Sequence, residues 1–135
     1  MAGLSENWDT RMSEGRVICY PVQADAVIYT GAILVLDAGY VRPSGAAETG
    51  VFVGIAADCV DASDRESGEM KVRVIKTGAH NFQATGLVAA DLGKLTYAPN
   101  DASVSLSDTA GPEVGYLVGL NANGTVRVRI DRSVC

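Results

Sequence analysis

Residues 121–131 read NANGTVRVRID, and this stretch decides the fold class. Val126, Val128 and Ile130 alternate with charged residues, so an extended strand here has one apolar and one polar face. The preceding segment Asn121–Gly124 contains residues that tolerate a positive φ, which predicts a tight turn after an earlier strand. We therefore expect a β-hairpin with one face in the core and the other in solvent.

The same kind of pattern extends back along most of the chain. Apolar segments are short, rich in Val, Ile and Tyr, and separated by Gly, Pro, Asp and Asn every eight to twelve residues. The predicted strands are Val17–Val22, Ala26–Thr30, Ala32–Asp37, Val51–Ala57, Met70–Thr77, Lys94–Ala98, Ser103–Leu106, Glu113–Leu120 and Thr125–Asp131. One helical turn is predicted at 88–93. The sequence thus predicts an all-β domain.

Size and composition are those of one globular domain. The chain has 135 residues, of which 47% are apolar and 20% charged, so it can form a real core without disulfide bonds. It has no apolar run of about 18 residues, so no transmembrane helix is expected. The polar N-terminal segment lacks the apolar stretch of a secretory signal, and we expect the product to stay in the cytoplasm.

Charge and cysteine content exclude two further classes of protein. Sixteen acidic against eleven basic residues give a net charge of −5, which argues against a protein that coats nucleic acid. Cys19, Cys59 and Cys135 form no CxxC pair and are accompanied by one histidine, so zinc-site spacing is absent. Cys19 and Cys59 lie in apolar runs and are expected to be reduced, buried core residues.

The first sixteen residues differ from the rest and are predicted to form an N-terminal arm, followed by a domain at 17–135. Leu4, Trp8 and Met12 are spaced four apart, which places them on one side of a short helix. Such a segment is too small and too polar to close a core. One hypothesis is that the arm, including Arg11 and Arg16, docks on a partner with Trp8 as an anchor. The alternative is that Trp8 folds back onto its own domain.

Two apolar runs do not alternate, and this indicates burial on both faces. They are residues 33–36 (Ile-Leu-Val-Leu) and 51–57 (Val-Phe-Val-Gly-Ile-Ala-Ala). No long amphipathic helix is available to cover a sheet that is apolar on both sides. We therefore expect a homo-oligomer with a self-contact or partner surface formed by Ile33, Val35, Val51 and Val53.

The sequence predicts no catalytic residue, cofactor or metal ligand. The sequence has no GxSxG motif whose serine His80 could activate, and no complete phosphate-binding loop is present. Residues 58–69 carry a net charge of −4, but their carboxylates lack the spacing of an EF-hand, which favours a solvated loop. Lys71, Arg73, Arg127 and Arg129 would form a basic stripe only if their strands were neighbours.

Several segments together resemble a known family, the capsid decoration (cement) proteins of tailed bacteriophages. The similar segments are Ala26–Asp37, Val53–Asp58, Val72–Gly78, Leu87–Tyr97 and Glu113–Gly119. The resemblance extends over 17–131, and its motifs are β segments with glycine turns.

This resemblance implies a small β-barrel or β-tulip-like domain that forms a homotrimer on the outside of a mature head. There it would clamp neighbouring major-capsid subunits, with no nucleic acid or membrane as a partner, and it would occupy the host cytoplasm before assembly. Two alternatives remain: a trimeric β-barrel that binds a ligand or hydrolyses nucleotides, and a head-fibre or tail component.

Overall fold

The computed structural model describes residues 16–45 and 50–130, and the fold of these residues is all-β. The strands are β1 Val17–Pro21, β2 Val27–Ile28, β3 Ile33–Asp37, β4 Tyr40–Pro43, β5 Val51–Ala56, β6 Val60–Asp61, β7 Lys71–Ile75, β8 Ala79–Gln83, β9 Leu95–Tyr97, β10 Glu113–Leu120 and β11 Thr125–Arg129. A single 3-10 turn, Ala89–Asp91, accompanies them in the described residues and lies within the predicted helical turn.

The strands form three antiparallel sheets. The five-stranded sheet has the order β1-β7-β5-β3-β4, the four-stranded sheet has the order β8-β11-β10-β9, and β2 pairs with β6. The two edges of the five-stranded sheet meet at one place, where Val22 forms an isolated bridge with Val41 and the Gln23 N–H donates to the Val41 carbonyl at 2.9 Å. The described residues therefore form several sheets and no closed barrel.

The C-terminal hairpin confirms the clearest prediction from the sequence. β10 and β11 pair antiparallel, and the Asn121 N–H donates to the Thr125 carbonyl at 3.0 Å across the turn. The Asn123 side chain accepts a hydrogen bond from the Thr125 hydroxyl at 2.6 Å, which fixes the turn further. Val126 and Val128 are buried, whereas the arginines between and after them are exposed, as the alternation predicts.

Two separate cores lie on the two faces of the five-stranded sheet. The first core contains Leu34, Val53 and Val74, and it is covered by the segments around β2 and β6. The second core lies between the five-stranded and four-stranded sheets, where Ile33, Phe52 and Ile55 share one cluster with Phe82, Val114, Leu117, Val126, Val128 and Ile130. The five-stranded sheet is thus a layer between two cores of the same chain.

This arrangement corrects the predicted self-contact surface. Ile33, Val35 and Val53 are each 0% exposed within a single chain, so they belong to its interior and not to its surface. Val51 is the exception, with 53% of its surface exposed. The apolar residues on both faces are buried by the chain's own layers, and they give no reason to invoke a second copy.

The predicted burial of two cysteines is also wrong, since the free thiols of Cys19 and Cys59 are both exposed. Cys19 lies on β1, the edge strand whose single sheet neighbour is β7. Cys59 lies in the short connection between β5 and β6. An apolar run predicts extended structure at these positions, but it does not predict that the strand lies at an edge.

Glycine is required where β5 approaches β7. Gly54 has φ of +149°, and a side chain there would overlap the Ile75 carbonyl oxygen and the Val74 side chain. The two strands pair through Ile55–Ile75 and Ala56–Val74, immediately beside this point. The missing Cβ therefore permits the close backbone approach that joins β7 to the centre of the sheet.

Candidate functional surface

The four-stranded sheet carries exposed apolar side chains along β10. Tyr116 is 45% exposed, Val118 46% and Leu120 40%. Val114 and Leu117, on the same strand, point into the second core. Tyr116 and Val118 therefore stand on the side away from that core. Leu120 does not, because a register shift between Leu117 and Gly119 places it opposite the buried Val126, on the core side at the end of the strand.

Two arginines of β11 lie beside this row. Arg129 is directly opposite Tyr116, and Arg127 is opposite Gly119. Both arginines are exposed. We call Tyr116, Val118, Arg127 and Arg129 together the outer face. It combines an aliphatic group with an aromatic ring and two guanidinium groups, and Tyr and Arg are enriched at the centres of protein–protein interfaces.

Strand β8 extends the outer face on the side of β11. Ala79 pairs with Arg129 and Asn81 pairs with Arg127. The Asn121 amide donates to the Asn81 side-chain oxygen at 3.0 Å, which ties the β10–β11 turn to β8. The hairpin that carries Tyr116 and Val118 therefore also holds Asn81, at the polar edge of the outer face, in place.

An ion pair lies at the start of residues 58–69, which we call the acidic loop. The Arg73 Nη2 donates to Asp58 Oδ1 at 2.7 Å, and Nε donates to Oδ2 at 2.9 Å. Hydrogen bonding from the Arg73 side chain, with smaller contributions from its backbone N–H and its charge, holds the pKa of Asp58 below its ordinary value. Both groups face solvent, so the pair organises a loop and does not form a buried reactive centre.

Carboxylates elsewhere in the acidic loop stabilise turns. Asp61 accepts the Ser63 N–H at 2.9 Å, and Glu69 accepts the Glu66 N–H at 3.0 Å. The hydrogen bonds from Ser63 lower the pKa of Asp61. In the part of the chain that the structure describes, no three His, Cys, Asp or Glu side chains come together as metal ligands.

The remaining candidates for chemistry do not assemble into a site. The His80 Nε2 lies 3.0 Å from the Thr77 carbonyl oxygen, a local contact at the start of β8. An open cleft of about 310 Å³ lies nearby, and its walls include Tyr29, Asn81 and Asp101. Its lining contains one carboxylate, Asp101, and no histidine, cysteine or lysine.

The basic residues singled out in the sequence do not form one stripe. Lys71 and Arg73 lie on β7 of the five-stranded sheet, whereas Arg127 and Arg129 lie on β11 of the four-stranded sheet. Arg73 is also paired with Asp58. The second pair alone remains a candidate contact surface, as part of the outer face.

The predicted arm lies almost entirely outside the described residues. Leu4, Trp8, Arg11 and Met12 are in this part of the chain, and their proposed contacts stay predictions. Arg16 is described, and its carbonyl oxygen accepts the Lys76 N–H at 2.7 Å. This hydrogen bond continues the β1–β7 ladder by one residue and fixes where the chain enters the fold.

Sequence reasoning missed Tyr116, Val118 and Leu120 as surface residues. The segment Glu113–Leu120 was predicted as a strand, and its apolar residues were all compatible with burial. The available signal was the same one seen at 33–36: apolar residues stand at successive positions, so both faces are apolar. In β10 one of those faces is exposed.

The comparisons with known proteins give no relative. The chain matches no protein-family model, no curated protein and no solved structure at a significant level. No helix within residues 16–45 and 50–130 is long and apolar enough to cross a membrane.

Proposed function

We propose that the protein is a structural component of a tailed-phage virion that binds the exterior of the mature head and cements neighbouring major-capsid subunits. The observation that carries the proposal is the outer face, where Tyr116 and Val118, 45% and 46% exposed, stand beside Arg127 and Arg129. A partner that covers this surface would remove its apolar side chains from contact with water, which favours binding. The sequence resemblance to decoration proteins supports the identity of that partner.

The proposed mechanism is cooperative binding, with no bond made or broken. A protein that binds the expanded shell and not its unfolded or contracted forms stabilises that shell by mass action. A homotrimer would present three outer faces at once, and each further contact would then gain from a high effective concentration. The protein would be in the host cytoplasm before assembly and on the capsid exterior afterwards.

The arm is proposed to add a second contact to the shell. Leu4, Trp8 and Met12 would enter a groove or add to a sheet edge of the capsid, with Arg11 and Arg16 on the flanks. Deletion of residues 1–15 should leave a folded oligomer that occupies heads less well. Unchanged occupancy would remove the arm from the mechanism.

A finer description of the fold belongs to the same proposal. We infer that the five-stranded sheet curls towards a small β-barrel of the β-tulip type around the first core. The Val22–Val41 bridge and the adjacent hydrogen bond from Gln23, where the two sheet edges meet, support this inference.

The test uses mature heads of the phage that encodes the chain, prepared without it. Adding the purified protein should raise the temperature at which heated heads release DNA, and the protein should sediment with them. Val118→Asp should reduce both effects because it places a charge within the contact. Val51→Asp, at a 53% exposed position on the five-stranded sheet, is the matched control and should bind normally.

Three results would contradict the proposal. Heads that neither bind the protein nor gain thermal stability would exclude a cement role. Binding without any gain in stability would instead favour a fibre or tail component. Turnover of a nucleotide by the protein alone would support the enzymatic alternative.

A further inference from the structure

Strand β8 lies at one edge of the four-stranded sheet, and alternate residues of its backbone face away from its neighbour β11. The Ile130 N–H donates to the Gly78 carbonyl at 3.0 Å, so positions 78 and 130 form a hydrogen-bonded pair of the antiparallel ladder. Hydrogen-bonded and non-hydrogen-bonded pairs alternate in such a ladder, so the even-numbered residues of β8 bond to β11. The backbone groups of the odd-numbered residues point outwards; these are Ala79, Asn81 and Gln83.

The outward groups of Gln83 are bonded to another segment of the chain. They contact residues 102 and 104, at 3.1 and 2.9 Å, in a short parallel pairing. To continue this pairing, the Ala102 N–H would have to donate to the Asn81 carbonyl. It donates instead to Asn100 Oδ1 at 2.9 Å, so the pairing ends at Gln83.

The outward groups of Ala79 and Asn81 therefore have no backbone partner among the described residues, and we call residues 79–81 the open edge of β8. The cleft of about 310 Å³ lies along this edge, since Asn81 and Phe82 line it together with residues 29–32 and 101–102. A chain that pairs with the open edge would run about 4.8 Å from β8, into this cleft. Strand addition of this kind takes its affinity from backbone hydrogen bonds and its specificity from the neighbouring side chains.

Two side chains determine which kind of segment suits the cleft. Asp101 is the one charged residue in the lining, and Tyr29 is 65% exposed. A carboxylate attracts a cation, and so does the face of an aromatic ring. The net charge of −5 adds a weaker general attraction. The cleft therefore favours an extended segment that carries a lysine or an arginine.

A second copy of the chain does not supply such a segment from its described residues. The two strands with alternating basic residues, β7 and β11, are each paired on both sides. The edge strands β1 and β9 carry no charged residue. The edge strand β4 carries Arg42, which is bonded to Asp37 at 2.8 Å. The segment is therefore expected to come from a different protein.

We propose that the open edge of β8 binds an extended segment of another protein, and that this segment carries a lysine or an arginine. The segment adds a fifth strand to the four-stranded sheet and bonds to the backbone of Ala79 and Asn81. Its basic side chain lies against Tyr29 and Asp101. This binding goes beyond the proposed function, which rests on the outer face. It is tested without phage heads, so the two proposals can fail separately.

The first experiment measures amide hydrogen exchange by NMR in the full-length protein. His80 and Phe82 donate to β11, so their amides should exchange slowly. The amides of Ala79 and Asn81 should exchange at least about tenfold faster because they point outwards. Slow exchange at all four positions in dilute protein would overturn the inference, since the edge would then already be covered.

The second experiment adds a defined peptide, acetyl-Thr-Val-Lys-Val-Thr-amide, to the labelled protein. Its valines and threonines favour an extended conformation, and its lysine supplies the positive charge. Binding should shift the amide signals of Ala79 and Asn81 and slow their exchange. A peptide with glutamate in place of lysine should bind about two- to tenfold more weakly, because repulsion replaces attraction. Equal binding of the two peptides, or no shift at millimolar peptide, would overturn the inference.

A pair of variants at one position tests the backbone hydrogen bond. Asn81→Pro removes the outward N–H at an edge position, where proline is tolerated. Asn81→Ala is the matched control, because it removes the same side chain and keeps the N–H. The proline variant should bind the lysine peptide about two- to tenfold more weakly than the alanine variant, the range for one hydrogen bond. Equal affinities would contradict strand addition.

A second pair of variants tests the charge without altering the backbone. Asp101→Asn should weaken binding of the lysine peptide by about two- to fivefold, and this difference should diminish as salt rises. Asp108→Asn, at an exposed position outside the cleft lining, removes the same charge and should leave the affinity unchanged. Equal losses in the two variants would mean that net charge, and not the cleft, attracts the peptide.

Discussion

The guanidinium group of Arg73 holds both carboxylate oxygens of Asp58, at 2.7 Å through Nη2 and at 2.9 Å through Nε. The backbone reinforces this contact, because the Ala57 N–H donates to the Arg73 carbonyl at 2.9 Å. The pair therefore fastens the first residue of the acidic loop to β7. This loop carries much of the negative charge of the chain, and its entry point is fixed by one arginine.

Removal of the Asp58 charge should produce a pH-dependent loss of stability. The folded-state pKa of Asp58 lies below its ordinary value of 3.8, so its stabilising contribution is present above that value and is lost as pH falls through the folded pKa. Asp58→Asn should be less stable than wild type at pH 7, and the two should converge as pH falls below 3.8. Urea unfolding measured across this range gives the comparison.

Asp64→Asn is the matched control for that experiment. Asp64 lies in the same loop, and the hydrogen bond described for it uses its backbone N–H, which donates to the Asp25 carboxylate at 3.0 Å. The substitution removes the same charge and leaves this N–H in place. An equal loss of stability in both variants would mean that total loop charge, and not the ion pair, is responsible.

A cavity made in either core should strongly lower the free energy of unfolding. Leu34 in the first core and Leu117 in the second are both 0% exposed. Truncation of either one to alanine should lower the free energy of unfolding by about 2–5 kcal/mol. Leu120→Ala, at a 40% exposed position on the same strand as Leu117, should change it by less than about 0.5 kcal/mol. Equal effects at 117 and 120 would contradict the difference in burial between the two positions.

Substitutions at two glycines distinguish the cost of a strained backbone from the cost of a steric overlap. Gly31 has φ of +89° and open space where a side chain would be, so Gly31→Ala should cost about 1–2 kcal/mol from conformation alone. Gly54→Ala should cost more, because its methyl group would also overlap the Ile75 carbonyl and push β5 from β7. Thermal unfolding of both variants tests this order, and a milder effect at 54 would refute the close approach.

Two thiols should be accessible in the native protein. Cys19 and Cys59 are exposed, so a chromogenic disulfide reagent should modify both without denaturant in a Cys135→Ser background. Cys19→Ser and Cys59→Ser should each remove one equivalent of fast-reacting thiol. Modification that requires unfolding would restore the original expectation of buried cysteines.

Much of the strand pattern was predictable because alternation depends on local sequence. Segments such as Thr125–Arg129 and Lys71–Ile75 alternate apolar and polar residues, and each forms the expected strand with one face buried. The turn before β11 was also predictable, since residues with the required backbone freedom stand there.

Other strands were missed because their neighbours create them. β8 reads AHNFQ, in which Phe82 is the single large apolar residue, and it becomes a strand by pairing along its whole length with β11. β4 is only four residues long and ends at Pro43. Conversely, the predicted strand Ser103–Leu106 contributes two isolated bridges, at Ser103 and Ser105. In each case tertiary contacts overrode local propensity.

The outer face was the hardest feature to predict, since sequence shows which positions are apolar but not what covers them. At Ile33 and Val35 the second apolar face is covered by another layer of the same chain. At Val118 the equivalent face is left open. The two cases look alike in sequence and differ only in the order of the sheets.

The five-stranded sheet that separates the two cores has a thermodynamic consequence. Ile33 and Leu34 are neighbours in the chain, yet they belong to different apolar clusters, so loss of β3 would open both at once. Neither core can therefore unfold while the other stays folded. Heating should unfold the whole domain in a single cooperative step, and the calorimetric and van't Hoff enthalpies of unfolding should agree.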